Sequence, residues 1–160
     1  MKLHFAAALA LIFSFNAWAG GPAYPKTPDA ELTPGTLCTS PNSYRYPEKV
    51  AYCERNVDSV VKRGVIHIYD QKLGYRIETM ARTDFKIDHY IPLCMGGSNE
   101  TSNLWPQHRS VYEITDPLEQ ELCEKMADGH LSQAKAMDLM RKAKNHLDEV
   151  DEIRDSLNSL

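Results

Sequence analysis

Between Phe85 and Trp105 the chain makes two short apolar runs and breaks once between them, at Gly96-Gly97. The first run, Phe85 to Leu93, alternates in part and ends in Ile91-Pro92-Leu93. The second is Asn103-Leu104-Trp105, followed at once by Pro106. Partial alternation over a few positions marks a half-buried strand, and paired glycines permit the positive φ that opens a loop. The stretch predicts a short strand, a loop, and a second strand that pairs back on the first and is stopped by Pro106. Asp88 and His89 stand in the first run, and a second histidine, His108, follows the second run.

The start of the chain reads as an address. Lys2 supplies positive charge, Phe5 to Phe15 form an apolar run, and Ala17-Trp18-Ala19 offers a small-x-small cleavage site before Gly20. That is the pattern of a secretory signal peptide over residues 1–19; the alternative is an uncleaved N-terminal anchor. The run is too short for a transmembrane helix, and no membrane partner is expected. The expected location is periplasmic or secreted. All four cysteines lie beyond this segment. An even count in an exported chain predicts two disulfides. Three pairings are open, and the preferred one is Cys38 with Cys53 and Cys94 with Cys123. The first bridge would tie a loop-rich segment to the start of the domain. No CxxC spacing occurs, which argues against a zinc knuckle.

The fold class expected is α+β. Residues 20–40 read as an extended Pro/Gly-rich leader, 41–127 as the central domain and 128–160 as a helical extension. Val57, Val60, Val61, Val65, Ile68 and Tyr69 share one helical face, with Asp58 or Ser59 as cap and Gly74 as stop. The β-branched residues there argue for a strand instead. A second helix is expected from Pro117 to Met126, with Asp116 as N-cap. Beyond Asp128-Gly129, Met140, Ala143, Leu147, Val150, Ile153, Leu157 and Leu160 form a heptad-like stripe. It predicts a long C-terminal amphipathic helix laid against the domain. The alternatives are a homodimer seam or a surface for a protein partner. The 160 residues carry a formal charge of −4, and the acidic excess falls after Asp116. Contacts to a polyanion therefore belong to the middle of the chain.

A histidine at a strand end can serve as a general base near neutral pH, and a carboxylate beside it can hold a hard cation. Asp88-His89, Ile91-Pro92-Leu93, Gly96-Gly97 and Asn103-Leu104, followed by a helix, resemble the HNH, or ββα-metal, endonuclease motif. Gly96-Gly97-Ser98-Asn99, Asn103-Leu104-Trp105-Pro106-Gln107, and the upstream Tyr52 to Val57 and Tyr69-Asp70 are similar to small exported bacterial members of that family. The resemblance spans roughly Thr33 to Met126. It implies a small ββα-metal core with flanking helices, supported by disulfides. It implies His89 as general base, Asp88 as first metal ligand, and Asn103 as the residue that orients the loop through bonds to the His89 backbone or ring. The third ligand departs from the family pattern: His108, preferred because imidazole is the commoner ligand, and Gln120 are the candidates, with Glu119 a weaker option. Arg109 is the candidate clamp for the scissile phosphate, ahead of Arg82 and Lys86. The implied cofactor is a divalent cation, Mg²⁺ first, with Mn²⁺ or Zn²⁺ as alternatives. The implied activity is hydrolysis of DNA, with RNA as a second substrate and little sequence preference. Two other readings stand beside it: a catalytically silent binding module of the envelope, and an effector or toxin nuclease restrained by a partner.

Overall fold

The computed structural model describes residues 23–158. The expected signal peptide, the first residues of the leader and Leu160 lie outside the described residues. The described part is α+β, with two small antiparallel sheets, four α-helices and both disulfides of the preferred pairing, Cys38–Cys53 and Cys94–Cys123. From residue 23 on, the leader packs against the domain. Thr33 is buried, and its hydroxyl donates to the Leu104 carbonyl and bonds the Tyr69 hydroxyl.

A first hairpin pairs β1 (Ser43–Arg45) with β2 (Val50–Tyr52). Helix α1 (Ser59–Leu73) follows, as the periodicity requires. Asp58 Oδ1 accepts from the Val60 and Val61 N–H groups, and Gly74 closes the helix at φ 74°. The buried face differs from the expected one. Val65, Ile66 and Tyr69 are buried, whereas Val60 and Ile68 are exposed. The i, i+4 row Val57, Val61, Val65, Tyr69 points inward, and the off-row residues fall outside it.

The central hairpin pairs β3 (Phe85–His89) with β4 (Leu104–His108), with Asp88 opposite Trp105 and His89 opposite Leu104. Pro106 does not stop β4, contrary to expectation. The Tyr90 N–H donates to the Asn103 carbonyl, so hydrogen-bonded pairs recur at Asp88–Trp105 and Lys86–Gln107, and Ile87–Pro106 falls between them. At that position the ladder asks no N–H of residue 106.

The second helix also starts earlier than expected. It is α2 (Arg109–Ala127), capped by His108, with Pro117 in its interior. Its buried stripe Val111, Thr115, Leu118, Leu122, Met126 begins two turns before the proline. Burial along that stripe outweighs the hydrogen bond the proline removes. Asp116 caps nothing; it pairs with Lys86.

The C-terminal stripe does not form one long helix. It divides into α3 (Gln133–Asn145) and α4 (Val150–Leu157) around a non-helical His146. The Asn145 side chain donates to the Arg141 carbonyl and to the Tyr90 hydroxyl, a local bond that competes with helix continuation. The break also splits the stripe between two cores. Met140, Ala143, Val150, Ile153 and Leu157 pack with Leu118, Leu122, Met126 and Ile91, whereas Leu147 joins the cluster under α1. Among the described residues the stripe packs inside the chain. No helix among the described residues is long and apolar enough to cross a membrane.

Asn103 binds the loop between β3 and β4 into one shape. Its amide accepts from the Ile91 N–H and donates to the Ile91 and Ser98 carbonyls, all at 2.9 Å. The clamp works because the loop runs close to the Ile91 backbone at Gly97, where an added Cβ would sit 1.8 Å from the Ile91 oxygen and 2.9 Å from Asn103 Nδ2. Gly97→Ala is expected to cost about 3 kcal/mol or more, from backbone displacement and a broken buried amide network. Gly64→Ala, exposed inside α1 with nothing near its Cβ, is expected to gain about 0.5–1 kcal/mol. Urea unfolding of both variants against the native chain measures the two effects.

Candidate active site

Strand alternation sends Asp88 and His89 to different neighbours, because β3 stays regular through its last residue. The His89 ring lies between Arg55 and Asn99. Its Nδ1 is 3.3 Å from Arg55 Nη1, and its Nε2 is 3.1 Å from Asn99 Oδ1. A guanidinium only donates, so Nδ1 is the accepting nitrogen and Nε2 carries the proton. The orientation of the Asn99 amide is fixed independently. Its Nδ2 donates to the Glu54 carbonyl, and its Oδ1 also accepts from the Asn56 N–H. Arg55 is held by a second bond from Nη2 to the Ile87 carbonyl at 2.8 Å. Burial, with the Arg55 charge behind it, lowers the His89 pKa to about 4 against the opposing Asn99 bond. The ring is therefore neutral at pH 7, with its lone pair on Nδ1. Arg55 and Asn99 line a polar groove of about 560 Å³, together with Thr39, Ser40, Asn42 and Glu54.

Asp88 is buried on the side of α2 and α3. Its Oδ2 accepts from Lys144 Nζ at 2.8 Å, and its Oδ1 lies 3.2 Å from Lys86 Nζ. Burial alone would raise its pKa, but the two ammonium groups outweigh burial and hold the carboxyl at about 2. Lys144 is completely buried. It also donates to the His89 carbonyl at 2.6 Å and to Glu119 Oε2 at 3.4 Å. Burial pulls its pKa down, and the Asp88 and Glu119 carboxylates more than restore it, so the shift is upward. Burial raises the Glu119 pKa, with the Asp88 charge adding to it and Lys144 opposing.

The remaining expected site residues do not converge here. His108 lies at the opposite end of the hairpin, opposite Phe85. Four residues of strand put it about 13 Å from His89 along the ladder. Its Nδ1 accepts from the Ser110 N–H as the cap of α2, and its ring stacks on Tyr24 at 3.8 Å. Gln120 is exposed and bonded to Glu124. Arg109 is exposed beside Glu113. Asn103 holds Ile91 and Ser98 rather than His89. Among the described residues no group of three or more His, Cys, Asp and Glu side chains could hold a metal ion. The expected ligand set of Asp88 with His108 or Gln120 is therefore not assembled.

Sequence reasoning missed Arg55, Asn99 and Lys144 as site residues, named Glu119 only as a weaker option for a metal ligand, and read Lys86 only as a surface or phosphate-contacting charge. One of them left a trace. Lys144 falls one helical turn after Met140, a cation on an otherwise apolar face. Comparison with known proteins adds nothing to this geometry: no family model, curated protein or solved structure matches the chain.

The acid side of the stability curve follows from these groups. The unfolded chain protonates His89 near the ordinary 6.5, and the folded chain only near 4. Stability therefore falls as the pH drops through that interval. Asp88, ordinarily 3.8 and held at about 2, extends the loss below it. Lys144, raised, contributes fully below its ordinary 10.5 and loses that contribution only as the pH climbs beyond it. The melting temperature is expected to peak between about pH 7 and 10. In His89→Gln the decline between about pH 6.5 and 4 should flatten; calorimetry across pH measures it.

Proposed function

We propose that this chain is an exported nuclease of the HNH kind, hydrolysing phosphodiester bonds of DNA, with RNA as a second substrate, and that His89 is its general base. The observation that carries the reading is the state of His89. The ring is neutral, its Nε2 proton is committed to Asn99, and its bare Nδ1 faces Arg55 beside an open polar groove. The order β3, loop, β4, α2 and the Asn103 clamp support the family resemblance.

The chemistry follows from the two groups on the ring. A phosphate entering the groove draws the Arg55 guanidinium, which recognises phosphate oxygens bidentately. Nδ1 is then free to accept a proton from water. The water oxygen bonds to phosphorus as the P–O3′ bond breaks, and the leaving oxygen takes a proton from solvent. A base with a pKa near 4 is weak at neutral pH. Removal of the Arg55 charge and arrival of an anionic phosphate both raise it toward the useful range. Arg55 is thus guard of the base and binder of the substrate, and it replaces Arg109 in the expected role.

The resemblance implies a divalent cation, and the residues present do not fit one. Both oxygens of Asp88 are engaged by ammonium groups, and neither His108 nor Gln120 reaches it. No step here is routed through a metal.

The test uses the oxidised mature chain with supercoiled plasmid and with single-stranded DNA, each in Mg²⁺ and in EDTA. Cleavage is expected to fall by about 10²–10⁴-fold in His89→Ala and to weaken in Arg55→Ala mainly through substrate affinity. Equal cleavage by His89→Ala, or none by the native chain under any of these conditions, contradicts the proposal.

A further inference from the structure

The Lys144 ammonium sits in a cage of oxygens drawn from two elements. Asp88 Oδ2 at 2.8 Å and the His89 carbonyl at 2.6 Å come from β3, and Glu119 Oε2 at 3.4 Å comes from α2. Three N–H donors meet three acceptors, so the ammonium is satisfied without water. Two carboxylates and a backbone carbonyl are also the donor set that a hard divalent cation selects. The second Asp88 oxygen offers no further opening, since Lys86 lies on it and is itself paired with Asp116 at 2.6 and 2.8 Å. While the ammonium is present, the cage is set at ammonium rather than metal distances. Divalent cations bind oxygen at about 2.0–2.6 Å, and only the carbonyl contact comes close to that.

We propose that Lys144 is the tethered cation of this site: its ammonium fills the position among Asp88, Glu119 and the His89 carbonyl that a divalent ion would otherwise take. The native chain accordingly binds no divalent ion at Asp88. Helix α3, not a cofactor, delivers the positive charge behind the candidate base. Taking the ammonium away leaves the buried Asp88 carboxylate and the partly exposed Glu119 carboxylate with no ammonium between them, and a divalent ion then becomes the group that neutralises them. The inference concerns cation binding alone and stands whether or not the chain cleaves phosphodiesters.

Mn²⁺ is the probe. Its uptake by the oxidised mature chain is followed by the electron paramagnetic resonance of free Mn²⁺, and melting temperature is recorded in parallel. The native chain and Asp88→Asn are expected to take up Mn²⁺ equally. Lys144→Met, which keeps the apolar stem but ends one atom short of the ammonium position and carries no charge, is expected to melt lower and to gain Mn²⁺ uptake at least about tenfold tighter than the native chain. Mn²⁺ should restore its melting temperature, and Glu119→Gln in the same background should abolish the gain. Should Lys144→Met fold only when Mn²⁺ is present, the proposal is supported. Uptake by the native chain that Asp88→Asn removes overturns it, as does a Lys144→Met chain that gains no uptake or fails to refold with Mn²⁺. A dead nuclease leaves every one of these readouts intact, so failure of the cleavage reading and failure of this one are told apart.

Discussion

The buried ammonium of Lys144 ties the hairpin to the packed pair α2 and α3. It bonds the end of β3, reaches the middle of α2 and belongs to the last turn of α3. Such a contact contributes less to net stability than its bond lengths suggest, because both charges leave water to make it. Removing one partner is another matter: an uncompensated buried charge costs about 3–5 kcal/mol. The interaction therefore acts as a registration device. It admits one seating of the C-terminal helices on the hairpin, and that seating holds the His89 backbone from one side.

His89 is fixed from the other side by Arg55 and Asn99, so backbone and ring are both constrained. The two constraints have different origins. The backbone is held by a buried, saturated ion cluster, and the ring by side chains bordering an open groove. Only the second can respond to a ligand. Asp88 and His89 are neighbours in sequence and yet serve separate halves of the molecule, one packing α2 and α3, the other buried behind the Arg55 and Asn99 side chains that line the groove. Strand alternation keeps them apart, and Asn103 and Gly97 fix the chain just past His89.

Much of the local structure was legible in the sequence. The Asp58 cap, the Gly74 stop and the hairpin around Gly96-Gly97 rest on short-range chemistry, and cysteine arithmetic gives the number of disulfides but leaves their pairing to the fold. The failures share a cause. Pro106 reads as a strand stop and Pro117 as a helix start, but the ladder register and the α2 burial stripe, both tertiary facts, place each inside its element. The heptad stripe was read as one helix because periodicity carries no information about which core each residue joins; Leu147 joins a different one from Met140. The site partners of His89 and Asp88 come from distant stretches of chain: Arg55 lies 34 positions from His89 and Lys144 lies 56 from Asp88. No spacing rule reaches across such distances. His108 was favoured as a ligand for its residue type, and the strand register places it at the wrong end.

The account turns on one protonation state, a neutral His89 with its proton on Nε2 and its lone pair on Nδ1. Long-range proton–nitrogen NMR correlations on the oxidised mature chain, followed from neutral pH into acid, observe both nitrogens directly. The account predicts a protonated Nε2 and a bare Nδ1 at neutral pH, with the ring charging only near pH 4. A proton on Nδ1 at neutral pH, or a midpoint at or above the ordinary imidazole value of about 6.5, would contradict it.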